Sequence, residues 1–535
     1  MLNFNNKYMA LTKSGIIINF ADILIDGLDG LDGNTPDNIQ LMKMINKIKS
    51  HFTIYYSIFS GEIRLRKRYI LQMNHSRIII PRFGLQSLEK TKSGLSGYGL
   101  DHIEIDNTLS IGHDMSNEFK CKINLTHNQQ ITANYLMNFI YTDKNILNGT
   151  ASCILCMEAG QGKSYLAMLL ISKFKKKTAI IIHTTSMIEQ WVKVIKSTCP
   201  ELSIGFYYNK IKTDGDINII IVNSGCHEKF KFCRTDIDGI DETVEMDAFE
   251  YYDQFGFIIY DECHIYSSKK FSDVFRQGQS RCVIGLSATP DSHADGMDKI
   301  ISWEIGNIIR VKDIEGYLDT TGNFIATIHH VCYYGAPDYT RLIKNSEDLT
   351  SIPLTINMIC EDAIRNLLIV KCIMCCLEKN LYTFVFADRR EYLEKLRQLL
   401  YEQNNTDGEI VVDDDDYKRI VGGSSSAELE RAELKSKVIF TTYQYMGTGK
   451  SIVKMNGLVM ATPRKNKMEQ YVKRIFRLGS DASVERHIYD IVDCKTVLRT
   501  HYGTRRLFYE YNQYKIETSK HQFADVAKLD FGELF

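Results

Sequence analysis

The chain lacks long apolar runs and an excess of charge of either sign. Its 535 residues include 65 Lys and Arg and 66 Asp and Glu, which gives a formal net charge of −1. No run of about 18 apolar residues is present, so we expect neither a transmembrane helix nor a membrane partner. Because the net charge is close to zero, the protein as a whole would not attract polyanions such as nucleic acid. Any nucleic-acid surface should therefore be a local basic patch.

The beginning of the chain also lacks the apolar core of a secretory signal peptide. We therefore expect an intracellular protein whose 14 cysteines are reduced, because disulfides are rare in reducing compartments. The densest cysteine group is Cys372, Cys375 and Cys376, in an apolar stretch typical of a helix. A metal site would need a second pair at ligand spacing nearby. None follows, so the pattern favours buried thiols.

The length predicts about three to five domains at roughly 100–200 residues each. Residues 1–115 are predicted to be β-rich, with strands at 15–20 and 77–83 and Gly/Asp-rich turns such as 26–30. From residue 116 onwards, short apolar strands alternate with amphipathic helices, which predicts parallel α/β architecture. We assign a first α/β domain to 116–315, a second to 316–500 and a C-terminal appendage to 501–535.

The apolar runs predict particular strands in each α/β domain. Those of the first domain are 178–182, 217–222, 256–260 and 282–286. Those of the second are 383–386, 438–440 and 457–460. An acidic run at 413–416 lies between two strands of the second domain. Charge runs are usually solvated, so we interpret it as a loop and not as a metal site.

A glycine-rich segment at residues 153–170 follows an apolar strand and opens a helix. Glycines in such a loop let backbone N–H groups surround phosphates, and the following helix directs its positive end at the anion. Lys163 would reach the β- and γ-phosphates and is expected to face solvent without nucleotide, whereas the Ser164 hydroxyl would bind Mg²⁺. Met157 occupies the position where the full pattern has its first glycine. The candidate ATP-binding residues of this segment are Gly160, Gln161, Gly162, Lys163, Ser164 and Tyr165.

A second element follows the apolar run 257–260, where the chain reads Asp261-Glu262-Cys263-His264. A carboxylate at the end of a strand beside a phosphate loop suits Mg²⁺ coordination, which we assign to Asp261. The adjacent Glu262 suits orientation and deprotonation of an attacking water. The alternative is an ordinary polar strand end. The phosphate loop earlier in the chain favours the catalytic interpretation.

Further segments occur in order around these two elements. They are Gln129 and the ranges 183–191, 287–290, 384–390, 441–444 and 470–477. Over roughly residues 120–495 the chain thus resembles the superfamily 2 helicases of the Asp-Glu-x-His class. The resemblance implies two tandem RecA-like parallel-sheet domains, here preceded by the β-rich N-terminal domain. It also implies an ATPase that uses ATP and Mg²⁺ and acts on nucleic acid.

The resemblance assigns roles to individual residues. Gln129 would read adenine, and Gln470, Arg474 and Arg477 would complete the ATP site from the second domain. The residues that couple hydrolysis to the grip on nucleic acid would be His264, Ser287 and Thr289. The phosphate contacts to nucleic acid would be Thr184, Thr185, Ser224, Thr441 and Thr442, although helix caps or turns explain such hydroxyls equally well. Residues 464–506 contain eleven Lys/Arg against five Asp/Glu, which suits a nucleic-acid patch.

A narrower likeness is to the transcript-release helicases of large cytoplasmic DNA viruses, through residues 79–84, 261–266 and 447–449. It implies a DNA helicase or translocase, with RNA as another possible substrate, working with viral transcription machinery in the host cytoplasm or virion. Lys450, Ser451 and Lys473 depart from the usual motifs. Two alternatives therefore stay open: a double-strand translocase that does not separate strands, and a non-catalytic scaffold.

Overall fold

The computed structural model describes two compact units, residues 1–318 and 319–535. The described residues are 9–12, 15–19, 36–60, 62–73, 77–89, 106–115, 118–158, 160–235, 241–268, 270–291, 297–318, 325–406, 415–446, 452–465, 468–476 and 484–526. Among them, no helix has the length and apolar character needed to cross a membrane.

The N-terminal part of the first unit combines a small mixed sheet with two helices and a separate antiparallel hairpin. Its elements are β1 (Met9–Thr12), β2 (Gly15–Asn19), α1 (Pro36–His51), β3 (Thr53–Ser60), β4 (Glu62–Tyr69), β5 (Gln72–Met73), β6 (Arg77–Ile80), α2 (Gly84–Glu89) and β7 (Asp106–Asn107). The sheet has the order β5-β6-β2-β1-β7, and β3 and β4 form a separate two-stranded sheet among the described residues. Strands β2 and β6 lie where the sequence predicted strands. The predicted turn at 26–30 lies outside the described residues.

The first unit continues with a long α/β region. Its elements are α3 (His127–Tyr135), a π-helical turn (Leu136–Ile140), α4 (Asp143–Leu147), β8 (Ser152–Cys156), α5 (Lys163–Phe174), β9 (Thr178–Ile182), α6 (Ser186–Thr198), β10 (Ile204–Tyr208), β11 (Ile211–Thr213), β12 (Ile217–Ile221), α7 (Val222–Gly225), β13 (Lys229–Thr235), β14 (Asp241–Asp247), α8 (Ala248–Asp253), β15 (Phe257–Asp261), a 3-10 helix (Cys263–Ser267), α9 (Asp273–Gln277), β16 (Cys282–Ser287), α10 (Lys299–Glu304), β17 (Ile308–Arg310) and a 3-10 turn (Val311–Asp313).

The main sheet of this unit has the order β11-β10-β12-β9-β15-β16-β8-β17. Every pairing in it is parallel except that of β10 with β11. Successive residues of β15 enter opposite apolar clusters: Ile258 and Tyr260 in one, Phe257 and Ile259 in the other. Burial on both faces explains why its strands are continuous apolar runs in the sequence. The four strands predicted for this region are confirmed.

The second unit is built around another parallel sheet. Its elements are β18 (Thr327–Tyr334), a 3-10 turn (Pro337–Tyr339), α11 (Ile352–Glu361), α12 (Ala363–Glu378), β19 (Thr383–Ala387), α13 (Arg390–Thr406), β20 (Tyr417–Arg419), α14 (Ser426–Lys435), β21 (Val438–Thr442), α15 (Tyr443–Met446), β22 (Gly457–Met460), α16 (Met468–Val472), a 3-10 turn (Lys473–Phe476), β23 (His487–Asp493), a 3-10 turn (Val497–Arg499), α17 (Thr500–Tyr511), β24 (Lys515–Gln522) and α18 (Phe523–Val526). The strand order is β20-β21-β19-β22-β23-β18-β24. The two parallel sheets confirm the predicted fold class.

Two groups of charged residues in the second unit differ from the sequence-based expectation. Arg505, from the basic stretch 464–506, is fully buried and binds both carboxylate oxygens of Asp490 at 2.8 Å. Arg474 and Arg486 of the same stretch are also buried, so part of the expected nucleic-acid patch lies inside the fold. Asp415, from the acidic run, is buried and pairs with Arg431 at 2.6 Å. It is therefore a structural ion-pair partner and not a solvated loop residue.

The apolar core of the N-terminal part is continuous with one face of the first unit's main sheet. Ile18, Leu41 and Phe52 belong to the same buried cluster as Ile258 and Tyr260. The cluster therefore joins residues that the sequence assigned to separate domains.

Arg82, just after β6, attaches the N-terminal part to the main sheet. Its buried guanidinium donates to the carbonyl of Gly149 at 2.9 and 2.6 Å, to that of Ser280 at 2.7 Å and to that of Arg281 at 2.9 Å. It also donates to the Gln279 side chain at 3.2 Å. Burial lowers the pKa of Arg82 to about 10. These acceptors lie just before β8 and β16, so one side chain holds the starts of two neighbouring strands.

We expect Arg82→Ala to destabilise the first unit by about 3 kcal/mol or more, because several buried carbonyls would lose their donor. Trp191 and Trp303 are the chain's two tryptophans, and both lie in this unit. Tryptophan fluorescence during urea unfolding therefore reports on the unit concerned. Arg310→Ala, which removes an exposed ion pair with Asp291, should cost less than about 1 kcal/mol. Equal midpoints for the two variants would contradict the proposed role of Arg82.

Candidate nucleotide site

The carboxyl ends of parallel strands bring the sequence motifs of the first unit to one edge of the sheet. The glycine loop follows β8, Asp261 ends β15 and Ser287 ends β16. Because β16 pairs with both β8 and β15, these three strand ends are neighbours. Thr184 and Thr185 follow β9 at the same edge, and Ser224 lies in α7 directly after β12. Crevices at this edge are where open α/β sheets bind ligands.

Two glycines of the loop adopt left-handed backbone conformations, with φ of +86° at Gly160 and +90° at Gly162. Such conformations are strained for other residues, so both positions favour glycine. Met157, the departure from the usual pattern, places its side chain in the buried core. Its backbone N–H donates to the Ser287 carbonyl at 3.1 Å, which continues the pairing with β16. The substitution is thus accommodated on the core side of the loop.

Lys163 bends back over the loop, contrary to the expectation that it faces solvent. Its half-buried ammonium donates to the Met157 carbonyl at 2.9 Å and to the Glu158 carbonyl at 3.4 Å. A phosphate could replace these neutral acceptors with charged ones, which form stronger hydrogen bonds. The lysine therefore already points into the loop in which it would bind the β- and γ-phosphates.

Gln129 supports the glycine loop through its side-chain amide. Its Nε2 donates to the Gln161 carbonyl at 2.9 Å, and its Oε1 accepts from the Thr126 N–H at 2.9 Å. A Cβ at Gly162 would lie 2.1 Å from this Nε2, so a larger residue would displace the Gln129 amide from the loop. The Tyr317 hydroxyl donates to Oε1 of Gln161 at 3.2 Å. Tyr317 had no motif to indicate it, because this contact depends on the fold.

Asp261 is buried, with 7% of its surface exposed, and both carboxylate oxygens are held. The Trp191 indole N–H donates to Oδ2 at 2.9 Å, and the Glu262 backbone N–H donates to Oδ1 at 3.0 Å. Burial, followed by the charge of Glu262, raises the pKa of Asp261 to about 7. The positive charge of Lys163 acts in the opposite direction and lowers the pKa of Asp261.

Glu262 adopts a left-handed conformation with φ of +51°, which is strained for a residue with a side chain. Its Oε2 lies 3.4 Å from His264 Nδ1, and the same ring nitrogen lies 3.0 Å from Ser287 Oγ. Ser287 Oγ also accepts the Thr289 N–H at 3.1 Å. A chain of polar contacts therefore joins the candidate catalytic carboxylate to the segment after β16, through all three predicted coupling residues.

The donors at this edge fit a magnesium ion bound together with a nucleotide. Mg²⁺ prefers oxygen ligands and usually combines one or two protein side chains with phosphates and water. Asp261 and the hydroxyl of Ser164, at the start of α5, supply that chemistry. Within the ranges that the structure describes, no group of three or more His, Cys, Asp or Glu is arranged to hold a metal by itself.

The predicted nucleic-acid contacts differ in exposure. Thr185 is exposed, while Thr184 and Ser224 are half-buried, and Thr184 Oγ1 lies 3.0 Å from the Ser186 hydroxyl. Thr441 and Thr442 are both buried at the end of β21. The Thr442 hydroxyl accepts the Tyr445 N–H at 3.2 Å, which caps the start of α15.

The residues predicted to complete the ATP site from the second unit lie around α16. Gln470 is half-buried within α16, and Arg474 is buried in the 3-10 turn that follows. The described chain thus changes from α-helix to 3-10 geometry between these two residues. Arg477 lies outside the described residues, as do residues 447–451 with the unusual Lys450 and Ser451.

The candidate site lies within a segment that matches a known protein family. The family described as "Type III restriction enzyme, res subunit" matches residues 122–292, which span the glycine loop, Asp261 and Thr289. A protein named as an ATP-dependent RNA helicase in African swine fever virus is 28% identical over 395 residues, covering 70% of this chain and 71% of the relative. One of the same description in Acanthamoeba polyphaga mimivirus is 24% identical over 371 residues, covering 68% and 64%.

Among solved structures, a fragment identified as the HsdR subunit of a type I restriction enzyme from Vibrio vulnificus is 17% identical. It covers 75% of this chain and 70% of its own, with a TM-score of 0.47.

The chain is a nucleic-acid-dependent ATPase of helicase type, and its motifs resemble those of the superfamily 2 helicases. More narrowly, the chain is a helicase-like protein similar to those of large DNA viruses. Its use of ATP and its action on nucleic acid are what these similarities support.

We expect Gly162→Ala to weaken binding of an ATP analogue by at least about tenfold, because the left-handed backbone and the Gln129 amide both oppose a Cβ there. Equilibrium titration with a fluorescent analogue measures the change. Gly503→Ala, in α17 where an added Cβ meets nothing within 4 Å, serves as the matched control and should bind normally. Unchanged affinity in Gly162→Ala would show that the loop does not hold the nucleotide.

Proposed function

We propose that this protein is an ATP-dependent DNA helicase or translocase of viral type, acting in transcript release or DNA processing. The observation that supports it best is the polar chain from Glu262 through His264 to Ser287 beside the glycine loop. Such a chain of contacts would connect the site of ATP hydrolysis to the segments that we propose to contact nucleic acid. Viral transcription machinery as a partner, and the host cytoplasm or virion as location, are part of the proposal and rest on the resemblance.

In this mechanism, residues 160–165 bind the phosphates through backbone N–H groups and through Lys163. Gln129 orders the loop and borders the adenine. Ser164 and Asp261 would hold Mg²⁺, which would neutralise negative charge on the nucleotide phosphates. Glu262 orients the attacking water and accepts its proton. Gln470, Arg474 and Arg477 supply donors and positive charge for the transferred phosphoryl group, as the motif resemblance suggests.

Loss of the γ-phosphate on hydrolysis then changes the contacts of the Glu262 carboxylate. Because His264 contacts both Glu262 and Ser287, a movement of Glu262 also moves Ser287 and Thr289. The hydroxyls of Thr184, Thr185 and Ser224 hold the nucleic-acid backbone without reading bases, whereas the buried Thr441 and Thr442 shape the end of β21 beneath such contacts. The proposal therefore predicts binding with little sequence preference and strong dependence on salt.

A second candidate is strand separation in RNA. The viral relatives are named as RNA helicases, which favours this possibility. One experiment separates the candidates: ATP turnover of the full chain with single- and double-stranded DNA and RNA, run beside strand-displacement assays on the same substrates. Turnover stimulated by DNA with displacement supports the proposed function, and stimulation by duplex DNA without displacement indicates a double-strand translocase. Stimulation by RNA alone contradicts the DNA assignment.

We expect Lys163→Ala to abolish most ATP hydrolysis while the fold is retained, because the lysine gives up only two partly exposed hydrogen bonds to loop carbonyls. Steady-state turnover and circular dichroism measure the two effects. Lys173→Ala, an exposed lysine of the same helix, is the matched control and should hydrolyse ATP normally. Near-normal turnover in folded Lys163→Ala would mean that the phosphates bind elsewhere.

We expect Glu262→Gln to bind ATP with near-normal affinity but to hydrolyse it about 10²-fold or more slowly, because shape is kept and the base is lost. Single-turnover kinetics with labelled ATP separates binding from chemistry. Glu250→Gln, at an exposed position of α8, should leave both unchanged. Loss of affinity with normal hydrolysis per bound ATP would argue that Glu262 is not the base.

A further inference from the structure

Trp191 is a buried side chain whose indole N–H is directed at a single acceptor. It lies in α6, has 1% of its surface exposed and donates to Asp261 Oδ2 at 2.9 Å. A buried indole N–H usually finds a hydrogen-bond partner. Here the acceptor is the carboxylate that we assign to Mg²⁺. The hydrogen bond therefore fixes one oxygen of a functional group, in addition to filling the core.

The two oxygens of Asp261 are restrained from different sides. Oδ1 accepts the Glu262 N–H, which belongs to the same chain segment. Oδ2 accepts from Trp191, which lies on another element and 70 residues earlier in the chain. The rotation of the carboxylate is therefore set by where α6 places the indole. A small shift of α6 would turn the oxygens relative to Ser164.

The beginning of α6 is the segment with the candidate nucleic-acid contacts. Thr184 and Thr185 immediately precede the helix, which starts at Ser186. Trp191 is five residues further, roughly 7.5 Å along the axis at 1.5 Å per residue. Met187, Ile188 and Ile195 anchor the same helix in the core. A rigid helix of this length carries a displacement at its first turn to the indole.

We propose that Trp191 is a positioning residue through which nucleic acid bound at the start of α6 sets the orientation of Asp261 and thereby stimulates ATP hydrolysis. The proposal rests on the proposed function, because it needs nucleic acid at Thr184 and Thr185. It goes beyond that function by assigning the coupling to a side chain that touches neither nucleic acid nor nucleotide. The path through Trp191 runs separately from the path through His264.

The chain supplies its own matched control. Trp303 in α10 is also buried, and its indole N–H donates to the Ser87 hydroxyl at 2.9 Å. Trp303→Phe therefore removes a comparable buried hydrogen bond that involves neither Asp261 nor α6. Trp191→Phe should reduce the stimulation of ATP turnover by nucleic acid by about tenfold, because hydrogen bonds to charged groups are among the stronger ones. It should also raise the Mg²⁺ concentration that gives half-maximal turnover. Trp303→Phe should leave both quantities unchanged.

Fluorescence provides a measurement that does not depend on turnover. In Trp303→Phe, Trp191 is the remaining tryptophan, so its emission reports on the hydrogen bond to Asp261. We expect that emission to shift when Mg²⁺ and ADP are added, and again when single-stranded DNA is added. In Trp191→Phe, the emission of Trp303 should respond to neither, and its unfolding transition verifies that the variant is folded.

The outcomes are distinct. Absence of stimulation of the unsubstituted chain by DNA and RNA overturns the proposed function and the coupling with it. Normal stimulation of the unsubstituted chain with equal stimulation of Trp191→Phe overturns the coupling alone. If Trp191→Phe does not fold, the Trp303→Phe chain still decides: emission of Trp191 that ignores Mg²⁺, ADP and DNA overturns the proposal, and emission that follows them supports it.

Discussion

The parallel direction of β8, β9, β12, β15 and β16 is the constraint on which the candidate site depends. Parallel strands end at the same edge of the sheet, so the strand direction alone brings together segments that are far apart in the chain. Asp261 and Ser287 are neighbours because Asp261 pairs with Leu286 in the β15–β16 register. One antiparallel strand in place of β15 would move the acidic pair to the opposite edge, away from the glycine loop.

Within that edge, several groups are held in conformations that a bound nucleotide would change. The Lys163 ammonium donates hydrogen bonds to loop carbonyls, and Glu262 has a strained backbone conformation. Asp261 is a buried carboxylate with a raised pKa. Phosphate would give Lys163 a charged partner in place of neutral carbonyls, and Mg²⁺ would give one to the buried Asp261 carboxylate. Strain and unmet charge at a functional site are stabilised by the surrounding sheet, whose strands are buried on both faces.

The sequence predicted the parallel sheets and the motif residues because both leave local signatures. A strand buried on both faces is a continuous apolar run, as in 257–260, and a phosphate loop needs glycines at fixed positions. Contacts between distant segments leave no such signature. The sequence therefore gave no indication that Trp191 holds Asp261, that Tyr317 contacts Gln161 or that Arg82 bonds to 149 and 279–281. The buried Arg505 and Asp415 illustrate the same limit, since charge composition alone does not distinguish a surface patch from an internal ion pair.

Arg82 also connects the N-terminal part mechanically to the main sheet. Its acceptors precede β8 and β16, at the end of the sheet opposite to the glycine loop and Ser287. The N-terminal part is therefore braced against the same two strands whose far ends carry the nucleotide machinery. A displacement of the N-terminal part would therefore be transmitted through the Arg82 hydrogen bonds to the starts of β8 and β16.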